Sequence, residues 1–383
     1  MTKSYGKIIL LFIFSLELCF SQEFKFSGYV LNFLIHQTIK DEFASLFNIN
    51  KNLYLLLGRV RLRPEFKFGT ENNLYLEYEI SMLYHSASLF FNPTEIDSRR
   101  HLYKLRWRLI SKQNIKAYHF IDRFYYRKDF EFGNLIIGRQ RISWGTGRIW
   151  NPTDLFNPIN PADFSKIEKD GADAITMKIY LGDLTDFHFV FNPTNCFKNN
   201  NLGFRLRSNL KPFDFSIMSG YFDKRAVIGF DFAGNFLDAG IRGEGIFSTD
   251  VKNFSSNFSK FILGFDNQFT NKLYFLIEYQ FNGEGKSNKA QYELERLIKG
   301  EILNLSKNYI FTSAVYTLNP ILSLAFSLNQ NLNDGSGFTN FAISYTPFDN
   351  AELGFGFIAF FGDELDEYWY YSTSIFLKLQ VFF

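Results

Sequence analysis

Cysteine is nearly absent from this chain, with two residues in 383, Cys19 and Cys196. No disulfide framework can therefore stand in for a packed core. Histidine is also scarce, and His36, His85, His101, His119 and His188 match no metal-ligand spacing. No Gly-x-Ser-x-Gly elbow occurs, and Gly145-Thr146-Gly147 ends an apolar stretch without opening an apolar helix, so it is not a nucleotide fingerprint. No catalytic residue, cofactor or metal is expected. The formal charge is only +2, which excludes a strongly basic nucleic-acid binder. Beyond residue 21 there is no run of about 18 apolar residues, so no membrane helix is expected either.

Aromatic residues are plentiful: 49 Phe and 21 Tyr, in a chain that is 46% hydrophobic overall. Such a composition is far from that of a disordered protein. Residues 1–21 place Lys3 and Lys7 ahead of an apolar run and end on Cys19, Phe20 and Ser21. This is the pattern of a secretory signal peptide cleaved before Gln22, while Glu17 and Leu18 fit poorly with acylation of Cys19. Cleavage leaves Cys196 without an intrachain partner. An exported, aromatic chain without membrane helices is either a secreted all-β protein or a membrane barrel.

Periodicity separates these. From Arg59 to Phe68 every odd position is charged and every even one apolar or proline: Arg59, Arg61, Arg63, Glu65 and Lys67 against Val60, Leu62, Pro64, Phe66 and Phe68. A strand with two unlike faces reads this way. Leu74, Leu76, Tyr78, Ile80 and Met82 then alternate with Tyr75, Glu77, Glu79 and Ser81, and the pattern recurs to the C-terminus. Segments of about 9–13 residues suit strands tilted across a bilayer, joined alternately by short turns and longer loops. A secreted sandwich or propeller would also alternate, but it lacks a reason for long, evenly spaced strands throughout. About nineteen candidate strands can be marked, and a closed barrel with both ends on one side needs an even number. The excess lies in residues 99–128, which gives an expectation of eighteen crossing strands, with sixteen as the alternative. The fold expected is an all-β transmembrane antiparallel up-and-down barrel over residues 22–383.

With the apolar face toward lipid, the charged face lines the lumen, because a lipid-facing Arg costs about 2–4 kcal/mol at the midplane. The residues so assigned are Arg59, Arg61, Arg63, Glu77, Glu79, Lys104, Arg106, Arg108, Arg123, Arg127, Arg139, Arg141, Arg205 and Arg207. They form either a basic wall that concentrates anions or a structural ladder in which Arg61 and Arg63 pair with Glu77 and Glu79. The two arrangements are compatible.

Residues 138–174 interrupt the alternation. Trp144, Gly145, Gly147, Arg148, Asn151, Pro152 and Asp154 open a stretch with Pro158 and Pro161 beyond it, where glycine permits positive φ and proline prevents ladder pairing. Residues 144–171 are expected to constrict the lumen, since irregular backbone at membrane depth is tolerated only inside protein or along a water-filled cavity. The alternative is a loop covering the rim. Lys289 to Lys299, with Leu294, Leu297 and Ile298, has the pattern of a short helix in an outer loop.

Two features carry a resemblance. The last strand, Ile375 to Phe383, has an alternating apolar face and a terminal aromatic residue and resembles the C-terminal strand of bacterial outer-membrane proteins. Gly138-Arg139-Gln140, Trp144-Gly145-Thr146-Gly147 and Asn151-Pro152-Thr153-Asp154 resemble an element of porin-like barrels, loosely the alginate-export and related group. The resemblance implies a Gram-negative outer-membrane protein inserted by the barrel assembly machinery through the strand ending at Phe383, with outer-membrane lipids around it. The function expected is passive diffusion of small polar or anionic solutes. Export or surface attachment of a polysaccharide is the alternative, followed by an outer-membrane hydrolase or a transporter of hydrophobic compounds.

Overall fold

The computed structural model describes residues 22–46, 50–86, 100–157, 168–195, 199–298 and 301–383. The expected leader at 1–21, Cys196 and the proline-rich stretch from Pro158 to Asp163 lie outside the described residues. No helix among the described residues is long and apolar enough to cross a membrane.

The strands are β1 (Gln22–Thr38), β2 (Asn52–Phe68), β3 (Asn72–His85), β4 (Arg106–Ser111), β5 (Ile115–Phe130), β6 (Gly133–Gln140) and β7 (Ala172–Gly182). There follow β8 (Thr185–Asn192), β9 (Asn201–Leu210), β10 (Phe213–Phe222), β11 (Arg225–Phe236), β12 (Ala239–Asp250) and β13 (Asn257–Gln268). The set ends with β14 (Leu273–Asn282), β15 (Asn308–Asn319), β16 (Leu322–Asn331), β17 (Gly337–Phe348), β18 (Ala351–Phe361) and β19 (Thr373–Phe382). Every neighbouring pair is antiparallel, and β1 pairs with both β2 and β19. The sheet therefore closes. Phe383 completes the seam by exchanging backbone hydrogen bonds with Gly28.

Eighteen strands cross, and β4 is the one that does not. Strand β3 pairs with the whole of β5. On the opposite edge of β5, β6 pairs with Phe124–Phe130 while β4 takes only positions 116–120 nearer the long loops. The excess strand predicted in residues 99–128 is thus an insert filling the space where β6 stops.

The exterior is apolar. Phe24, Ile217, Ile228, Phe230, Leu263, Phe355 and Leu377 stand exposed, whereas Arg61, Glu77, Glu79, Glu244 and Glu278 are buried. A soluble sandwich would invert that distribution. The strand alternation reads as lipid outside and polar side chains inside. Turns at one end are short. The tightest sit at Leu237-Asp238 and, at the other end, Asp223-Lys224, all four with positive φ, the backbone that two-residue hairpin turns require. Strand β11 runs through Gly234 and Asn235 to Phe236, and the turn follows at Leu237-Asp238, although Leu237 carries none of the usual turn chemistry. A short helix spans Leu294–Ile298 in the long loop between β14 and β15, as its spacing predicts.

Candidate functional site

After Gln140 the chain leaves the sheet, three residues earlier than the pattern at Trp144 predicts, and residues 141–157 pack against the inner wall. Gln140 starts the departure: its side-chain amide donates to the Ala174 carbonyl and accepts from the Thr176 hydroxyl. The Trp144 indole donates to His188 Nδ1 on β8 at 3.1 Å and meets Phe156 edge-on. Ile142, Trp144 and Phe156 join Val190, Met218, Phe222, Val227 and Ile246 in one apolar cluster. Farther along, Trp150 joins a second cluster with Ile262, Leu276, Tyr309 and Phe311. The segment thus touches inward side chains from β8 to β15.

Buried backbone N–H groups need acceptors, and two inward carboxylates supply them. Glu244 on β12 accepts from the backbone N–H of Thr146 at 2.5 Å, and of Gly147 and Thr153 at 3.3 Å. Glu278 on β14 accepts from Arg148, Ile149 and Trp150 at 2.9, 3.2 and 2.8 Å. Each carboxylate clips one bend. The glycines are needed here: Gly145 has φ +95° with the Glu244 carboxylate 2.4 Å from where a Cβ would stand, and at Gly147 a Cβ would lie 1.9 Å from the Trp150 carbonyl oxygen. Asp154 closes the segment, accepting from the Asn157 N–H at 3.1 Å and pairing with Lys169. Burial pushes the Asp154 carboxyl up and the Lys169 ammonium pulls it down, with burial the larger effect.

A second anchor holds the returning arm. Arg61, 4% exposed, donates to Glu79 at 2.8 Å, Glu77 at 2.7 Å, Asp122 at 3.1 Å and Glu168 at 2.7 Å. Arg59 pairs with Glu79, Arg63 with Glu77 and Glu168, and Arg123 with Glu77. Asp122 reaches the cluster through a register shift between Glu77 and Tyr78. Four arginines meet four carboxylates, so the cluster is neutral and extends the ladder anticipated from Arg61, Arg63, Glu77 and Glu79. Glu77, Asp122 and Glu168 approach one another closely enough to hold a cation, but the arginines already neutralise them. Burial alone would raise the Glu168 carboxyl, yet Arg61, Arg63 and Arg123 together hold it below the ordinary range.

The remaining arginines divide. Arg205 faces inward and pairs with Asp231 and Ser216. Arg207 pairs with Asp186 at 3.0 Å and is half exposed. Arg106 and Arg108 do not stand on a crossing strand, because β4 is the insert: Arg106 lies over the Phe120 ring at 4.6 Å, and Arg108 is exposed. Arg139 is not on the lumen wall. It shares the parity of the outward-facing Ile137 and pairs in register with the outward-facing Phe124. Its guanidinium fills the seam where β6 ends, donating to Asp173 at 2.8 Å and to the Ile121 and Tyr103 carbonyls. Complete pairing removes the cost of an outward Arg, a solution that alternation alone does not reveal. Arg141 lies beyond the end of β6 and is exposed. The anchoring residues Asp122, Glu168, Glu244 and Glu278 were not singled out in the sequence; alternation with apolar neighbours marks Glu244 and Glu278 as inward, but nothing local signals what they hold.

Toward the long loops, a cavity of about 500 Å³ opens between the segment and β10–β14. Arg148, Trp150 and Pro152 form its segment side, Phe222, Lys260 and Asn282 its wall, and Ile302 its loop side. Asn151 and Asp154 also line it.

The sequence matches no family model, and no curated protein is similar to it. Solved structures are similar in fold. Acinetobacter baumannii OccAB4 is 10% identical with a TM-score of 0.58, over 95% of this chain and 99% of that one. Pseudomonas aeruginosa OccK7 is 9% identical with a TM-score of 0.58, over 94% and 99%. A BenF-like porin from Pseudomonas fluorescens Pf-5 is 8% identical with a TM-score of 0.59, over 94% and 98%. The chain has the closed, antiparallel, eighteen-strand barrel fold that such porins display.

Proposed function

We propose that this chain is an outer-membrane porin-like channel of a Gram-negative bacterium, passing small polar or anionic solutes by diffusion. The observation that carries the reading is the inner segment at 141–157, held on the wall of a wide barrel by Glu244 and Glu278. A barrel of this size otherwise encloses an open aqueous lumen, so a fixed internal segment is the element that sets pore size. Residues 144–171 are on this reading the constriction, with Glu168 tying their return to β2. Insertion through the strand ending at Phe383 and a surrounding shell of outer-membrane lipid complete it.

The paired arginines soften the expectation of a strong anion field. Of the predicted basic positions, Arg141 and Arg148 are exposed within the segment and carry no ion pair among the described residues. These two are the candidates for solute contact. Export of a polysaccharide such as alginate is a weaker reading, because a polymer needs clearance that the internal segment reduces. A hydrolase would need a nucleophile and base together, and no such pair stands out among the inward side chains described.

Planar-bilayer recording of the full chain tests the proposal. Stable unitary conductance with preference for small anions supports it; a sealed bilayer after confirmed insertion overturns it.

A further inference from the structure

We propose that residues 362–372, the loop between β18 and β19, form a second constriction that opens and closes: a strap folded into the mouth of the barrel and pinned there by Glu367. It rests on the channel reading only for its effect on current.

The inner segment covers inward side chains from β8 to β15, and the strap continues from there. Its one turn of 3₁₀ helix, Glu367–Tyr370, packs on the inner faces of β15 to β18. Tyr368, 2% exposed, meets the rings of Phe338 on β17 and Phe360 on β18 at 5.6 and 6.4 Å. Its hydroxyl accepts from the Asn329 amide on β16 at 2.7 Å. Asn329 and Phe338 have the parity opposite to the outward-facing Phe326 and Phe341, so the strap lies inside the wall. Strap and segment meet at Tyr309 on β15: the Trp150 ring lies 6.1 Å from it, and its hydroxyl donates to Glu367 at 2.5 Å. The two inner elements thus form one continuous lining from β8 to β18.

Glu367, 3% exposed, ties the strap to its neighbours. Besides Tyr309, it accepts from the Leu305 N–H in the β14–β15 loop and from the Asn331 amide at the end of β16, both at 2.9 Å. Its own N–H donates to Asp334 in the β16–β17 loop at 3.0 Å. Backbone strain opposes the pinned form. Leu365 is held at φ +66° although its side chain is half exposed, and Gly362 at φ +148° supplies the hinge. A left-handed leucine is costly, and release of the strap relieves that cost.

Charge opposes the pinned form as well once Glu367 ionises. The strap and the loops it meets carry Asp334, Asp363, Glu364 and Asp366 against two cations, Lys289 on Asp366 at 2.9 Å and Lys40 over the Trp369 ring. The other titratable groups facing it are Tyr292, Tyr309 and Tyr368. Burial pushes the Glu367 carboxyl up to about 7, so the pin is neutral in mild acid and charged in mild alkali. The pinned strap binds this proton more tightly than the released one. The strap is therefore held below about pH 7 and loosened above it.

Amide hydrogen exchange of the detergent-folded chain, corrected for intrinsic rates, tests the pin independently of current. Protection at Glu367, Tyr368 and Trp369 should be roughly thirtyfold higher at about pH 5.5 than at about pH 8, the factor set by a carboxyl at about 7 when pinned and 4.5 when released. Glu367→Gln should keep the acid level at both pH values, its amide donating to Tyr309 while Asn331 retains the Tyr292 hydroxyl as acceptor. Protection that ignores pH, or that follows it equally in Glu367→Gln, overturns the pin. Bilayer recording tests the constriction. Parent conductance should be larger at the higher pH, Glu367→Gln should stay at the acid level, and Tyr368→Ala, which leaves the carboxylate in place, should be open at both. Equal conductance in all three chains at both pH values overturns the constriction. Absence of conductance from every inserted barrel sinks the channel reading instead, and exchange still decides the pin.

Discussion

Replacing Glu278 should release the middle of the inner segment while leaving the barrel closed. Its carboxylate accepts three consecutive backbone N–H groups, those of Arg148, Ile149 and Trp150, at 2.9, 3.2 and 2.8 Å, and the side chain is fully buried. Hydrogen bonds to a charged acceptor contribute roughly 1.5–3 kcal/mol each, and a buried donor left without an acceptor costs about 1–3 kcal/mol. Three donors share one carboxylate, so the contributions do not simply add; a loss of about 4 kcal/mol for Glu278→Ala is a reasonable scale. That corresponds to roughly a thousandfold gain in local opening. Glu278→Gln retains one acceptor oxygen and should lie between the two. Amide hydrogen exchange in the detergent-folded barrel reads the effect directly. Protection at 148–150 should collapse in the Ala variant while the strand amides of β14 stay protected. Unchanged protection at 148–150 would refute the clip, meaning that packing of Trp150 on Ile262, Tyr309 and Phe311 holds the segment unaided.

Arg61 is the hub of the neutral cluster, and Arg61→Met leaves four carboxylates short of their shared cation. Loss of about 3–5 kcal/mol is expected from removing one member of a buried ionic network, measurable as a lower midpoint in urea unfolding; an unchanged midpoint would show that Arg59, Arg63 and Arg123 suffice. In the loop between β18 and β19, burial holds the Glu367 carboxyl up to about 7 from an ordinary 4.5, although Tyr309, Asn331 and the Leu305 N–H all donate to it. The folded chain therefore binds this proton more tightly than the unfolded chain. The stabilising contribution is complete below about pH 4.5 and is lost as pH rises through about 7. Glu367→Gln should gain stability relative to the parent chain over that window, by roughly 3 kcal/mol in total, and a pH-independent gap between them would contradict the assignment.

The strand pattern was legible because a barrel wall has two unlike faces and a side-chain period of two. Arg59, Arg61, Arg63, Glu77 and Glu79 accordingly fall inward, and the surplus strand falls in the region where the count was in excess. Residues at strand ends were less legible. Arg139 obeys the outward parity but finds Asp173 and two carbonyls in a seam created by the short β6, a long-range circumstance that no local pattern encodes. The same holds for Glu244 and Glu278. Their inward direction follows from alternation, yet their partners are backbone groups of a segment roughly 90–130 positions away.

The central claim is that the inner segment sets the pore. Its ends are close together, since the Ile142 N–H donates to Asn157 Oδ1 at 2.9 Å, so a short Gly-Ser bridge can replace residues 143–156 without straining the wall. The decisive measurement is the unitary conductance of that variant beside the parent chain in the same bilayer and salt. The account predicts a stable parent conductance and a clearly larger one in the variant; equal conductances, or none from either inserted barrel, would contradict it.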